Sequence, residues 1–138
     1  MDALSRADGG QSLVVAALLL GVAALAVTLL QGAQDRLISA VRDQRTGEAA
    51  VAAAGSAVAD LQLARVQAAG RPLTIGEIEA FAAEASVIDA ARVAARRIAD
   101  AHGDARTIDI AIKSFGPEIE VHLALAGRTH IALLSPPA

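Results

Sequence analysis

From Ser12 to Leu30 the chain reads SLVVAALLLGVAALAVTLL, about 19 residues without a single charge. The uncharged stretch reaches further still, from Gly9 to Gln34. As a helix, Ser12–Leu30 would be roughly 28 Å long, close to the hydrocarbon thickness of a bilayer. A buried core helix is the competing reading, but the remaining ~105 residues make too small a domain to cover such a helix on every side. The segment therefore predicts a membrane-spanning helix. Secretory signals have shorter apolar regions, about 7–15 residues, behind a basic leader. Here Met1–Gly10 carries Arg6 against Asp2 and Asp8, and the small-residue pattern Ala24-Leu25-Ala26 falls inside the apolar run. A retained anchor is the expectation, giving a polar leader over 1–10, a transmembrane helix over 11–34 and a folded domain over 35–138. Within the span, Ala17, Gly21, Ala24 and Thr28 recur at helical spacing and form a small-residue stripe suited to close approach by another helix.

Composition narrows what the domain can do. Trp and Tyr are absent and Phe occurs only at Phe81 and Phe115, so a thin core of aliphatic side chains is expected. The formal net charge is −3, with acids and bases alternating. A nucleic-acid binder needs a basic stripe or stacking aromatics, and this chain has neither. Without cysteine there is no disulfide framework and no thiolate metal site. No nucleophile elbow or glycine-rich phosphate loop follows a strand. Asp109, His122 and His130, read as neighbours on the outer sheet face, are the best set for a divalent ion, but outward strand positions are normally polar and solvated. Glu77, Glu79 and Glu84 read as helix surface. Arg92, Arg96 and Arg97 read as a solvated helix face, with acidic lipid or a protein partner as the alternative. The expectation is a protein without catalysis, metal, cofactor or small-molecule substrate.

Element signals are clear after the membrane segment. Asp35 to Ala69 lacks Pro and is rich in Ala, Arg, Gln, Val and Leu, which predicts helix despite Gly47 and Gly55. Unbroken, it would make a rod of roughly 85 Å with the span; a break near Gly32 or Gly47 would fold it back. Gly70-Arg71-Pro72 stops it. Thr74 and Glu77 have the spacing of a capping box, flanked by Leu73 and Ile78 as a hydrophobic staple. Ile78, Phe81, Ala85, Ile88, Ala91, Ala95 and Ile98 supply an apolar face, and Ser86 with Asp89 offers a second start, so two helices with a kink are possible. His102-Gly103 ends the run. Alternation then predicts strands: Ile108, Ile110 and Ile112, then Ile119, Val121, Leu123 and Leu125, joined by a turn over Ser114-Phe115-Gly116-Pro117. Pairing the apolar faces sets Lys113 opposite Glu118 and Asp109 opposite His122. A third strand over Thr129–Leu134, with Leu123 opposite Ile131, ends at Ser135-Pro136-Pro137. The fold class is α+β: a long N-terminal transmembrane helix, further helices, and a small antiparallel β-meander.

The apolar run from Gly10, the alanine-rich GEAAVAAAGSAVAD and the C-terminal IDAARVAARRIADAHGDARTIDIAIKSFGPEIEVHLAL together resemble the TadE/TadG-like proteins of the tight-adherence (Tad) pilus system. The resemblance covers most of the chain and rests on pattern. It implies a pilin-like fold and a minor pseudopilin or membrane-anchored assembly component, with other pilin-like subunits and Tad assembly proteins as partners. It also implies processing by a prepilin peptidase, which here would cut after Gly10 and leave Gln11 first. The sequence departs from the pattern at Val15, the fifth mature position, where such substrates usually carry Glu. Orientation is read two ways. Arg36, Arg42 and Arg45 outnumber Arg6 around the span, which by charge alone holds the domain in the cytoplasm. The resemblance implies an extracytoplasmic domain, and long domains translocate despite nearby arginines. A membrane-tethered extracytoplasmic binding or sensing module unrelated to pili is the alternative function.

Overall fold

The computed structural model describes residues 5–135, and side-chain surroundings from residue 13 to 135. Six elements follow in order: α1 (Ser5–Ala69), α2 (Ile75–Ala82), α3 (Ala85–Ala101), β1 (Asp109–Phe115), β2 (Glu118–Leu125) and β3 (Arg128–Leu134). The chain is therefore α+β with a three-stranded antiparallel sheet in the order β1-β2-β3. Pro136 and Pro137, expected to end the third strand, lie outside the described residues, as does the start of the leader, Met1–Leu4. The helix α1 is continuous through both Gly32 and Gly47, so neither expected break occurs.

The chain divides into two compact units, one up to Val41 and one from Arg42 onward. In the first, the helix holds the one stretch among the described residues that is long and apolar enough to cross a membrane, with a window mean hydropathy of 2.8 and none of it buried. Leu13, Leu18, Leu19, Leu20, Leu25, Leu29 and Leu30 all stand exposed. An apolar helix with no protein cover is stable only where the surroundings are themselves apolar.

In the second unit the helix becomes one-sided. Thr46, Gly47, Ala50, Val51, Ala54, Gly55, Val58 and Gln62 are buried along a single ridge. The ridge is built of small side chains because it lies directly on the sheet. A Cβ at Gly47 would overlap the His130 imidazole, and one at Gly55 would lie 3.3 Å from the Ala132 Cβ. The glycines that weaken the helix in the sequence are the residues that let its backbone approach β3.

Gly70, at φ 65, closes α1 by donating its N–H to the Val66 carbonyl. Thr74 and Glu77 form the predicted capping box, and Leu73 and Ile78 both pack into the core. Two separate helices follow, but the second starts differently from the expectation. Its N-cap is Glu84, not Ser86, and no side chain caps it. Glu84 instead forms a two-pronged ion pair with Arg65 of α1, at 2.7 and 2.8 Å, which fixes the junction from outside. The guanidinium of Arg65 also sits 5.5 Å from the Phe81 ring centre. Because the helix restarts at Ala85, that residue is exposed, and the buried ridge runs Val87, Ala91, Ala95, Ala99. A Schellman motif ends α3: Asp104 N–H reaches the Ala99 carbonyl at 2.8 Å, Gly103 N–H reaches that of Asp100, and Gly103 takes φ 72.

Both hairpins are tighter than expected. Gly116, at φ 62, and Pro117 form a two-residue turn, so Ser114 and Phe115 belong to β1, Lys113 faces Glu120 and Asp109 faces Ala124. Ala126 and Gly127, at φ 56 and 73, form the second turn, with Leu125 facing Arg128. Two successive positive φ angles are the signature of a type I′ turn, whose twist matches the strands it joins. It sets Leu123 opposite His130, one residue from the expected partner Ile131. In a strand one residue is a change of face. The inner face therefore carries Ile110, Ile119, Val121, Leu123, Leu125 and His130, all buried, while Ile131 and Leu133 are 56 % exposed on the outer face.

Two stability measurements on the full chain in detergent check this packing. Gly47→Ala is expected to destabilise by about 1–3 kcal/mol through overpacking, although alanine favours helix by ~1 kcal/mol. Adding His130→Ala to it should recover part of the loss; if Gly47→Ala alone raises the melting temperature, the close contact is wrong. Separately, Ala126→Asn should stabilise by roughly 0.5–1 kcal/mol, since Asn tolerates the left-handed conformation that costs Ala about 1 kcal/mol.

Candidate functional site

The residues singled out in the sequence fall in three places. Gly10 and Gln11 lie within the backbone of α1, and their surroundings are outside the described side chains. Ala17, Gly21, Ala24 and Thr28 lie on the exposed part of α1. Around Gly21 there is open space on the side where a Cβ would point, and the Thr28 hydroxyl donates to the Ala24 carbonyl at 2.9 Å. The hydroxyl is thus satisfied within its own helix, leaving a face of low relief.

The set Asp109, His122 and His130 is not brought together. His130 points inward against α1 and is 8 % exposed, while Asp109 and His122 lie on the outer face. His122 hydrogen-bonds Glu120, Nε2 to Oε2 2.8 Å, and is level with Ile131 rather than with a second imidazole. The outer-face metal set therefore does not form, and among the described residues no group of three or more His, Asp or Glu is placed to hold a metal ion. The misplacement follows from the one-residue change in register.

The acids and bases of the helices are mostly engaged with one another. Glu77 closes the capping box and accepts from Arg71 at 2.7 and 2.9 Å, which lowers its carboxyl pKa to about 2. Glu84 is held below the usual range by Arg65. Glu79 is exposed. Arg92 pairs with Asp89, and Arg96 pairs with Asp100 at 2.9 Å while donating to the Arg106 carbonyl. These three arginines, Arg92, Arg96 and Arg97, surround Val93, which is 60 % exposed.

One polar cluster escapes a reading by motif. Asp104, 8 % exposed, accepts from the Arg106 side chain at 2.8 Å and from its backbone N–H at 3.0 Å. Arg106 then reaches Asp43 of α1 at 2.7 Å. Arg106 holds the Asp104 carboxyl down at about 2 against the opposing effect of burial, and lowers Asp43 as well. The local signal was present: an Asp two residues before Arg, just after a helix-ending Gly, is the sequence of an Asx turn. The long-range arm to Asp43 has no sequence signal.

Among the described residues, one open groove runs beside β3 and another lies at the approach to β1. The first, about 470 Å³, lies between α1 and β3 and is lined by Gln44, Glu48, Val51, Ala52 and the consecutive residues Thr129–Ala132. Four consecutive strand residues alternate between faces, so a groove touching all four runs along the strand edge. The second, also about 470 Å³, is lined by Arg92, Val93 and Arg96 of α3 and by Ala105, Thr107 and Ile108 on the approach to β1. Neither has the enclosed shape of a small-molecule site.

Among family models, curated proteins and solved structures, no match to this chain is found. What the chain itself defines is a class: a small α+β domain preceded by one long apolar helix compatible with a single-pass membrane anchor.

The carboxylates carry a pH prediction. Asp104 and Glu77 have folded pKa values near 2, below the ordinary 3.8 and 4.5, so their contribution is complete above those ordinary values and is lost as pH falls toward 2. Thermal unfolding of the full chain between pH 5 and pH 2 should therefore show falling stability, and Asp104→Asn should flatten the slope. An unchanged slope would remove the Asp104–Arg106 pair as its source.

Proposed function

We propose that this protein is a minor pseudopilin or membrane-anchored assembly component of a Tad-type pilus or secretion system, with its domain outside the cytoplasmic membrane. The observation that carries the reading is the dual use of α1. A single helix supplies an uncovered apolar segment at its start, and further on the small-residue ridge on which a sheet is packed. This is the division of labour expected of a pilin-like helix, and it joins the polar leader, the Gly10-Gln11 junction and the alanine-rich continuation that resemble the TadE/TadG-like pattern. In this reading the stripe of Ala17, Gly21, Ala24 and Thr28 packs against other pilin-like helices in the membrane. Assembly then does the work, without catalysis or a bound cofactor.

Val15 shapes the expectation for processing. In pilins the acid usual at this position pairs with a neighbouring subunit's N-terminal amine, so its replacement weakens filament entry more than cleavage. The expected mature chain begins at Gln11, and Gly10→Leu should leave it at Met1; mass spectrometry of the N-terminus in cells with a prepilin peptidase reads both. A reporter fused after Ala138 should appear outside the cytoplasm. A cytoplasmic reporter would end the pilus reading, whereas an exported domain with an intact Met1 would favour an assembly factor over a filament subunit.

A further inference from the structure

Both outer strands of the sheet have an unpaired edge. Among the described residues, no backbone hydrogen bond joins β1 or β3 to anything except β2. Edges of this kind are usually blunted by proline, lysine, a bulge or a covering loop. In β3 the run Thr129–Leu134 has no proline and no formal charge, and its outward side chains Ile131 and Leu133 are exposed. The other edge, β1, carries only Lys113 and Asp109 as charged residues.

The two edges are related in a specific way. Each pairs antiparallel with β2, so β1 and β3 run parallel to each other. The cross-strand rows set Ala111, His122 and Ile131 at one level on the outer face, and Ile110, Leu123 and His130 at one level on the inner face. A second domain placed alongside in the same orientation therefore brings its β1 next to β3 of the first, in parallel, with inner and outer faces already matched. The flanking grooves are complementary in sign. The one beside β3 holds Glu48, and the one beside the approach to β1 holds Arg92 and Arg96. Among the described residues Glu48 is engaged with Gln44 of its own helix and Arg92 with Asp89, both in solvent, so exchanging these partners costs little.

We propose that copies of this chain associate side by side, β3 of one continuing into β1 of the next as a parallel extension of the sheet. The partner is a second copy, because the two edges of this one sheet match in direction, face and level, and the side chains lining the grooves beside them are of opposite charge. The contact is heterologous, so it propagates instead of closing into a two-fold dimer. It does not rest on the pilus reading.

The absence of cysteine makes the test direct. Ala111→Cys and Ile131→Cys lie two strand spacings apart within one chain, roughly 9–10 Å, beyond the reach of a disulfide. Co-expressed as two full-length single variants and oxidised in membranes, they should give a cross-linked dimer that neither gives alone; the double variant should give a ladder. Glu48→Arg should lower the cross-linked fraction about twofold to fivefold, and adding Arg92→Glu in the same chain should restore it. Both of these side chains are exposed, and far-UV circular dichroism checks that the variants remain folded. No dimer from the mixed, folded variants would overturn the proposal, as would an equal yield from Ile131→Cys alone, which would mean that β3 meets β3.

Discussion

The domain depends on how closely one helix can approach one sheet. Its core has Phe81 as the single aromatic, with Ile, Val, Leu and Ala supplying the rest. Each aliphatic side chain contributes only about 1.5–3 kcal/mol when buried, so the number of contacts per side chain matters more than its size. Gly47, Ala50, Ala54 and Gly55 on α1, and Ala91, Ala95 and Ala99 on α3, bring backbones rather than long side chains against the strands. The ~1 kcal/mol that each glycine takes from helix propensity is offset by the dispersion contacts that a shorter separation allows. His130 marks the limit of that approach, since its ring fills the space that any side chain at position 47 would need.

The same residue types serve a different end earlier in the helix. Ala17, Gly21 and Ala24 are exposed, and around Gly21 nothing among the described residues lies where a side chain would point. Beyond the apolar segment, Leu37, Ile38 and Val41 are also exposed, at 50–66 %. In water such surface is a cost; against lipid or another helix it is not. Small residues facing protein and small residues facing open space are thus written alike, and only the partner strand tells them apart.

That ambiguity explains what could and could not be read from the chain. The capping box of Thr74 and Glu77 was legible because both partners sit three residues apart and need nothing else. The alternation of Ile110, Ile119, Val121, Leu123 and Leu125 was legible because period two and burial on one face are a single statement. The register of β3 was not. Its residues Thr129–Leu134 are apolar on both faces toward the end, so hydrophobic pattern favours neither phase, and the choice falls to the turn. Alanine at the first turn position gives no warning of a positive φ, whereas Asn or Gly would have. Ser86 failed as a cap for a similar reason: the competing start at Glu84 is held by Arg65, nineteen residues away and on another helix.

One residue of register also decides what kind of surface the sheet presents. With Leu123 opposite Ile131, two imidazoles and a carboxylate would have gathered on the outer face, and Ile131 and Leu133 would have been covered in place of Ala132 and Leu134. With Leu123 opposite His130, an imidazole fills the gap at Gly47 while Ile131 and Leu133 turn outward. Burying an imidazole is costlier than burying an aliphatic chain, so the exchange must be repaid by the fit to the helix and by the twist of the type I′ turn. Asp104, Arg106 and Asp43 act on the other side, tying the approach to β1 back to α1 and to its own loop. Among the described residues both outer strands keep an unpaired edge, and the proposed association with another copy uses those two edges.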